Sequence, residues 1–309
     1  MTIHSSFQQI LPYLTPELRQ PLSAVAEQDT LQEIRLRRSR SLQIIRQGQA
    51  FTVSHTGGLI PPQQDGIRVT GQAVETIFRN LCAHSVHSFQ DAIRQGYLTL
   101  SGGNRAGFCG TAVLRGGATD TLRDISGINL RIASERIGCA EALVAAIGDP
   151  RTDGGVLLAG PPASGKTTLL RDLARILGNL MRVCILDERG ELAAVRNGMP
   201  QFDVGTQTDV FDGYPKAEAI EIAVRVMSPE LLICDEIGGQ AEADVLMHTM
   251  HTGVSLIASA HAADLQTLLL RPQISRLTEA GIFRRGILLG TGAQCGQIRG
   301  IAQLKRRSA

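Results

Sequence analysis

Between residues 7 and 27 the apolar positions Ile10, Leu14, Leu18, Leu22 and Val25 recur at three- and four-residue intervals, the repeat of one helix face. Pro12, Pro16 and Pro21 interrupt that face, so two short helices are expected. The period then changes. Glu33-Ile34-Arg35-Leu36-Arg37 alternates apolar and polar positions, Leu42-Gln43-Ile44-Ile45 does so in part, and Gly48 offers a turn before residues 50–53, which together read as strands. Helical spacing returns with Val74, Ile77, Phe78 and Leu81, and Ser88 is placed to cap a second helix ending near Gln95. Residues 97–100, 107–114 and 125–132 read as strands, joined by glycine-rich turns at Gly102-Gly103 and Gly116-Gly117.

From about residue 139 the texture is different. A helix over 139–147 and a loop over 148–155 lead to the short apolar run Val156-Leu157-Leu158-Ala159, and another helix is expected over 166–177. Val183-Cys184-Ile185-Leu186, Leu231-Leu232-Ile233-Cys234 and Val254-Ser255-Leu256-Ile257-Ala258 are apolar with little alternation, as strands covered on both faces are. The expected fold is α/β: a core with a parallel central sheet over 136–309, preceded by a smaller α+β N-terminal domain over 1–135. No internal repeat or low-complexity tract is present.

The chemistry concentrates in that second half. Gly160-Pro161-Pro162-Ala163-Ser164-Gly165-Lys166-Thr167 has the G-x-x-x-x-G-K-[ST] spacing of a phosphate-binding loop, and Thr168 follows it. The spacing has a mechanical cause: Gly165 lets the backbone approach phosphate, successive N–H groups point into the loop, and the helix starting at Lys166 adds its positive dipole end. Lys166 is expected to reach the β- and γ-phosphates of ATP, and the Thr167 hydroxyl to serve Mg²⁺. A chance match in a glycine-rich turn is the plain alternative, and the strand before and helix after speak against it.

Asp235-Glu236 closes the apolar run 230–234, at the strand end where ligands bind in an open α/β sheet. Asp235 is expected to hold the metal's water shell and Glu236 to orient or deprotonate the attacking water. Two further strands end the same way, in Asp187-Glu188-Arg189 and in Ser259-Ala260-His261. Glu188 could assist water positioning and His261 could sense the γ-phosphate, with loop capping or an ion pair as the structural alternative for each.

Composition trims the remaining options. With 309 residues, 43% of them hydrophobic, the chain can bury a substantial core and is long enough for one large domain or two modest ones. A formal charge of +2, with 4% aromatics and no Trp, supplies neither the field nor the stacking platform of a nucleic-acid binder, so no such partner is expected. Arg35, Arg37, Arg38 and Arg40, and the closing Lys305-Arg306-Arg307, read as solvated charge before they read as an anionic partner's surface. Apolar runs fall far short of the roughly 20 residues of a membrane span, and residues 1–10 carry no secretory pattern, so a cytosolic location is expected, with any membrane association peripheral. Cys82, Cys109, Cys139, Cys184, Cys234 and Cys295 show no C-x-x-C spacing and are expected to be buried, reduced thiols. His84 with His87, and His248 with His251, sit three apart on expected helices without a third ligand nearby, so solvated histidines and no zinc are expected. Gly238-Gly239-Gln240 follows the Asp-Glu pair and lacks a preceding Leu-Ser, which argues against a transporter-type signature loop.

A glutamate directly after the metal aspartate is similar to the pattern of RecA-like motors, AAA-type ATPases and secretion ATPases. More specifically, the chain resembles the stage III sporulation protein AA family, itself similar to the ATPases of type II secretion and type IV pili. The resemblance rests on Gly102-Gly103-Asn104-Arg105-Ala106-Gly107-Phe108-Cys109-Gly110, on residues 124–133, on Gly160 to Thr168, on residues 186–191 and on Asp235 to Gly238. It implies a RecA-like P-loop core, an acidic box at Asp187-Glu188 and a histidine box at Ser259-Ala260-His261. One departure is visible: Thr252-Gly253 is followed by Val254 where secretion ATPases usually place a histidine, leaving phosphate sensing to His261 alone.

The resemblance further implies a homo-oligomeric ring, usually a hexamer, with ATP held between a core and a neighbour's N-terminal domain. Arg105, Arg123 and Arg131 flank the two family-specific segments and are the candidate arginines acting in trans. The implied function is ATP hydrolysis coupled to a membrane channel joining mother cell and forespore during endospore formation, with the protein on the cytosolic face on the mother-cell side. Two other classes stay open: a nucleotide-regulated scaffold with negligible hydrolysis, and a RecA-like motor on nucleic acid.

Overall fold

The structure, a computed structural model, describes residues 6–26, 28–85, 89–249 and 253–304. It divides into two compact units, Met1–Ser134 and Glu135–Ala309.

In the first unit the proline-broken segment yields a single 3-10 turn over Leu11–Tyr13 and one helix, α1 (Pro16–Ser23), which keeps Pro21 within it. Strands β1 (Leu31–Arg37), β2 (Gln43–Arg46), β3 (Gln49–Val53) and β4 (Leu59–Ile60) follow. Helix α2 (Gly71–Leu81) is capped by Thr70, whose hydroxyl accepts the Ala73 N–H at 3.0 Å. Helix α3 (Gln90–Gln95), β5 (Tyr97–Thr99), β6 (Arg105–Arg115) and β7 (Ala118–Arg131) complete the unit. The strands form one antiparallel sheet in the order β4-β3-β2-β1-β7-β6-β5. Alternation on β1 sorts its faces: Ile34 and Leu36 are fully buried, whereas Arg35 pairs with Glu33 and Arg37 donates to Gln43 near the surface.

Two expectations in this unit are corrected. The β6–β7 hairpin, turned at Gly116-Gly117, is longer than the strands expected over 107–114 and 125–132, because alternating polar residues let it continue outside the core. His84 is not helical: α2 ends at Leu81, and His84 has φ +60°. Its expected partner His87, and Ser88, lie outside the described residues.

The second unit opens with α4 (Glu141–Ile147) and the short α5 (Pro150–Asp153). Then come β8 (Gly155–Gly160), α6 (Lys166–Leu177), β9 (Val183–Asp187), β10 (Thr208–Asp212), α7 (Lys216–Ile222), β11 (Leu231–Cys234), α8 (Gln240–Thr249) and β12 (Ser255–His261). Helices α9 (Leu265–Leu269) and α10 (Pro272–Glu279) and strands β13 (Phe283–Leu289) and β14 (Ile298–Gln303) end it. The sheet order is β10-β9-β11-β12-β8-β13-β14, parallel throughout except that β14 runs antiparallel to β13.

The unbroken apolar runs follow from this layering. Every residue of β8 is buried, Val156 and Leu158 packing with Leu169, Leu170 and Leu173 of α6, and Leu157 and Ala159 with a second cluster that includes Ala219, Ile220 and Leu246. This is an α/β fold whose parallel strands deliver β8, β9, β11 and β12 to one carboxyl-end edge. Among the described residues no helix is long and apolar enough to cross a membrane. The thiols differ from the expectation: Cys82, Cys184 and Cys234 are buried, Cys139 is half-buried, and Cys109 and Cys295 are exposed. Burial pushes Cys82 up to about 11 and Cys184 and Cys234 up to about 12, which keeps those three protonated and unreactive.

Candidate functional site

β8 ends at Gly160, and the chain turns through Pro161, Pro162, Ala163 and Ser164 to Gly165, the N-cap of α6. Ala163 (φ +60°) and Gly165 (φ +88°) both adopt left-handed backbone, so the loop folds back on itself and its amides precede the helix axis. A Cβ at Gly165 would lie 3.3 Å from the Gly296 backbone. That neighbour belongs to a brace over 290–297: the Gly296 N–H donates to Ser164 O at 3.0 Å and the Cys295 thiol to Ala163 O at 3.3 Å. Sequence reading missed this brace, although the cluster Gly290, Gly292 and Gly296 was the available signal of a tight loop.

Lys166 is only 6% exposed and sends its ammonium back into the loop. Nζ donates to Gly160 O at 2.7 Å and to Pro161 O at 2.9 Å, and it lies 3.1 Å from His261 Nδ1. An ammonium can only donate, so Nδ1 is the acceptor and the imidazole proton sits on Nε2, which faces Glu236 Oε1 at 3.9 Å. Burial lowers the Lys166 pKa, and the charges of Asp235 and Glu236 oppose that shift. Thr168 is the third residue of α6, and its carbonyl accepts from the Cys139 thiol at 3.8 Å.

The acid pair follows β11. Thr167 Oγ1 donates to Asp235 Oδ2 at 2.7 Å, while the buried Ser259 hydroxyl donates to Asp235 Oδ1 and accepts the Glu236 N–H at 3.0 Å. A threonine hydroxyl and a carboxylate side by side are hard oxygen ligands of the kind Mg²⁺ takes, so this donor set fits that ion. Glu236 has φ +50°; its carbonyl accepts from Lys216 Nζ at 2.7 Å and its carboxylate pairs with Arg189 Nη1 at 2.8 Å. Glu188 Oε2 lies 3.5 Å from the same Lys216 Nζ. Asp187 is buried and serves as a loop cap, accepting the N–H groups of Glu191, Leu192 and Ala193 at 2.7, 3.0 and 2.8 Å.

Lys166, Thr167, Glu188, Asp235, Glu236 and His261 thus converge on one edge of the second unit's sheet. Arg105, Arg123 and Arg131 all lie in the first unit. Arg105 stacks over the Tyr97 ring at 5.0 Å, Arg123 pairs with Asp124 at 3.7 Å, and Arg131 is exposed, opposite Arg105 and Glu33 in strand register. Gly238 and Gly239 donate to Glu242 Oε2, each at 3.0 Å, as a cap on α8. His248 Nδ1 contacts Asp244 O at 2.7 Å, and His251 and Lys305-Arg306-Arg307 lie outside the described residues. Lys216 and Arg271, which donates to His261 O at 2.6 Å, went unread because each lies in a stretch with no motif of its own, and Arg189 stood in the Asp187-Glu188-Arg189 tip without a role assigned to it.

Residues 4–308 match the family described as "Sporulation stage III, protein AA". The chain is 36% identical over 285 residues to the stage III sporulation protein AA of Bacillus subtilis, covering 90% of this chain and 89% of that one. Among solved structures, the Legionella pneumophila ATPase DotB aligns at a TM-score of 0.54 and 13% identity, covering 93% of this chain and 77% of that chain. The pilus retraction motor PilT, solved with bound ADP, aligns at 0.51 and 14% identity, covering 84% of this chain and 74% of that chain. Both likenesses are of fold.

Proposed function

The chain belongs to the stage III sporulation protein AA family, and from that premise we propose that it hydrolyses ATP on a RecA-like P-loop core, residues 136–309, carried behind an α+β domain over 1–135. The observation that carries the proposal is the convergence of a phosphate loop and an Asp-Glu pair at one sheet edge, with Thr167 Oγ1 and Asp235 Oδ2 2.7 Å apart.

Gly160 to Thr168 cradle the phosphates through backbone N–H groups, and Lys166 leaves its two carbonyl acceptors to meet the β- and γ-phosphates. Thr167 and Asp235 would hold Mg²⁺, which would supply charge neutralisation on the phosphate oxygens. Glu236 takes a proton from water as the water oxygen attacks the γ-phosphorus and the bond to the bridging oxygen breaks, giving ADP and phosphate. Glu188 helps position that water, and His261 donates from Nε2 toward the γ-phosphate. Arg105, Arg123 and Arg131 stabilise charge in a neighbouring chain's site within a ring, a hexamer by likeness to secretion ATPases. The work is delivered to a membrane channel of endospore formation, with the protein at its cytosolic face on the mother-cell side.

One observation favours a second reading. The Glu236 carboxylate is already engaged by Arg189 at 2.8 Å, which is the arrangement a nucleotide-held scaffold with negligible hydrolysis would keep. Glu236→Gln separates the two: a motor loses turnover and spore formation while still binding ATP, whereas a scaffold forms spores as before.

A further inference from the structure

Lys216 opens α7 below the acidic edge of the sheet, and it is 7% exposed. An ammonium has three donors and no acceptor, and it is rarely buried without partners. Here Nζ donates to the Glu236 carbonyl at 2.7 Å and lies 3.5 Å from Glu188 Oε2. The two acids follow different strands, Glu188 after β9 and Glu236 after β11, and those strands are neighbours in the sheet. One buried cation therefore ties both acidic tips together.

The backbone of Glu236 shows why such a tie is needed. At φ +50° it occupies a conformation disfavoured for any residue with a Cβ, and such conformations persist where the surroundings over-determine them. Both polar groups of that residue's backbone are held: its N–H by the Ser259 hydroxyl and its carbonyl by Lys216. On the side-chain side, Arg189 at 2.8 Å competes for the carboxylate.

From these contacts we infer that Lys216 is a positioning residue for hydrolysis, holding the left-handed turn that aims the Glu236 carboxylate and holding Glu188 beside it by charge, without touching nucleotide. The inference rests on the hydrolysis reading above. Replacing the ammonium with an apolar group leaves the Glu236 carbonyl without its donor and Glu188 without its counter-charge, so the defect falls on the aim of the base and spares the phosphate cradle.

The test is kcat for ATP together with Kd for ADP in the full chain, for wild type, Lys216→Met, Lys216→Arg and Glu236→Gln. Lys216→Met is expected to lower kcat about ten- to a hundredfold, with Kd for ADP unchanged within about twofold. Lys216→Arg, which keeps charge and donors, recovers part of kcat. Should Lys216→Met fail to fold, Lys216→Gln carries the same two expectations, since its shorter amide group drops the charge that holds Glu188. Wild-type kcat in the uncharged variant overturns the inference, and so does a parallel loss of turnover and ADP affinity. Wild-type turnover no faster than that of Glu236→Gln, with ADP still bound, overturns the hydrolysis reading and this inference with it.

Discussion

At Lys166 the largest influence is desolvation, which lowers its pKa from the usual 10.5 even though Asp235 and Glu236 pull the other way. A lysine whose folded pKa lies below its unfolded value binds fewer protons when folded, so its penalty is fully present below the folded pKa and fades as pH rises toward 10.5. Wild type should therefore gain stability relative to Lys166→Met between neutral pH and pH about 10, measured by urea unfolding of both proteins across that range; a difference that shrinks or stays flat contradicts the assignment. Ser259 is the other residue with a clear signature. Its buried hydroxyl serves Asp235 and the Glu236 N–H at once, so Ser259→Ala leaves the half-buried Glu236 N–H without that acceptor and should cost roughly 1 kcal/mol of unfolding free energy. Denaturant midpoints read that loss, and turnover should fall with it because Asp235 loses its orienting donor.

Among the elements, the loop between β8 and α6 depends on one left-handed glycine. Gly165→Ala would strain φ +88° and press a methyl against Gly296, so it is expected to destabilise the chain by about 1–3 kcal/mol and weaken ADP binding together. Calorimetric titration and thermal unfolding check both at once. The same loop shows what sequence could and could not convey. β8, β9, β11 and β12 were readable as runs without alternation because both their faces are covered, and their polar tips followed from where those runs stop. β10 was not readable: as an edge strand it carries Asp209 and Asp212 and is only half-buried. β13 contains Arg284-Arg285-Gly286, and β14 alternates along the other edge, so neither has the signature of a core strand. The brace at 290–297 and Lys216 are contacts across long stretches of chain, 132 residues in the case of Cys295 and Ala163, and no local pattern announces such pairings.

For the whole molecule, the family membership places this chain with sporulation proteins, and its fold is similar to those of the ATPase DotB and the pilus retraction motor PilT. If Arg131 acts on a neighbour's nucleotide, Arg131→Ala lowers kcat without changing ADP affinity. Mixed with Lys166→Ala chains, it should then regain part of its turnover, because each variant supplies what the other lacks. Additive, unrescued activities in the mixture would remove Arg131 from that role. We propose above that the Gly160 to Thr168 cradle and the Asp235-Glu236 pair form one ATP-hydrolysing site. It is tested most directly by phosphate release from ATP and Mg²⁺ by size-resolved wild type, Lys166→Ala and Glu236→Gln in one assay. Turnover is expected in wild type alone, with Glu236→Gln still binding ATP and Lys166→Ala binding it weakly; turnover that survives Lys166→Ala unchanged would show that the loop and the acid pair do not form one site.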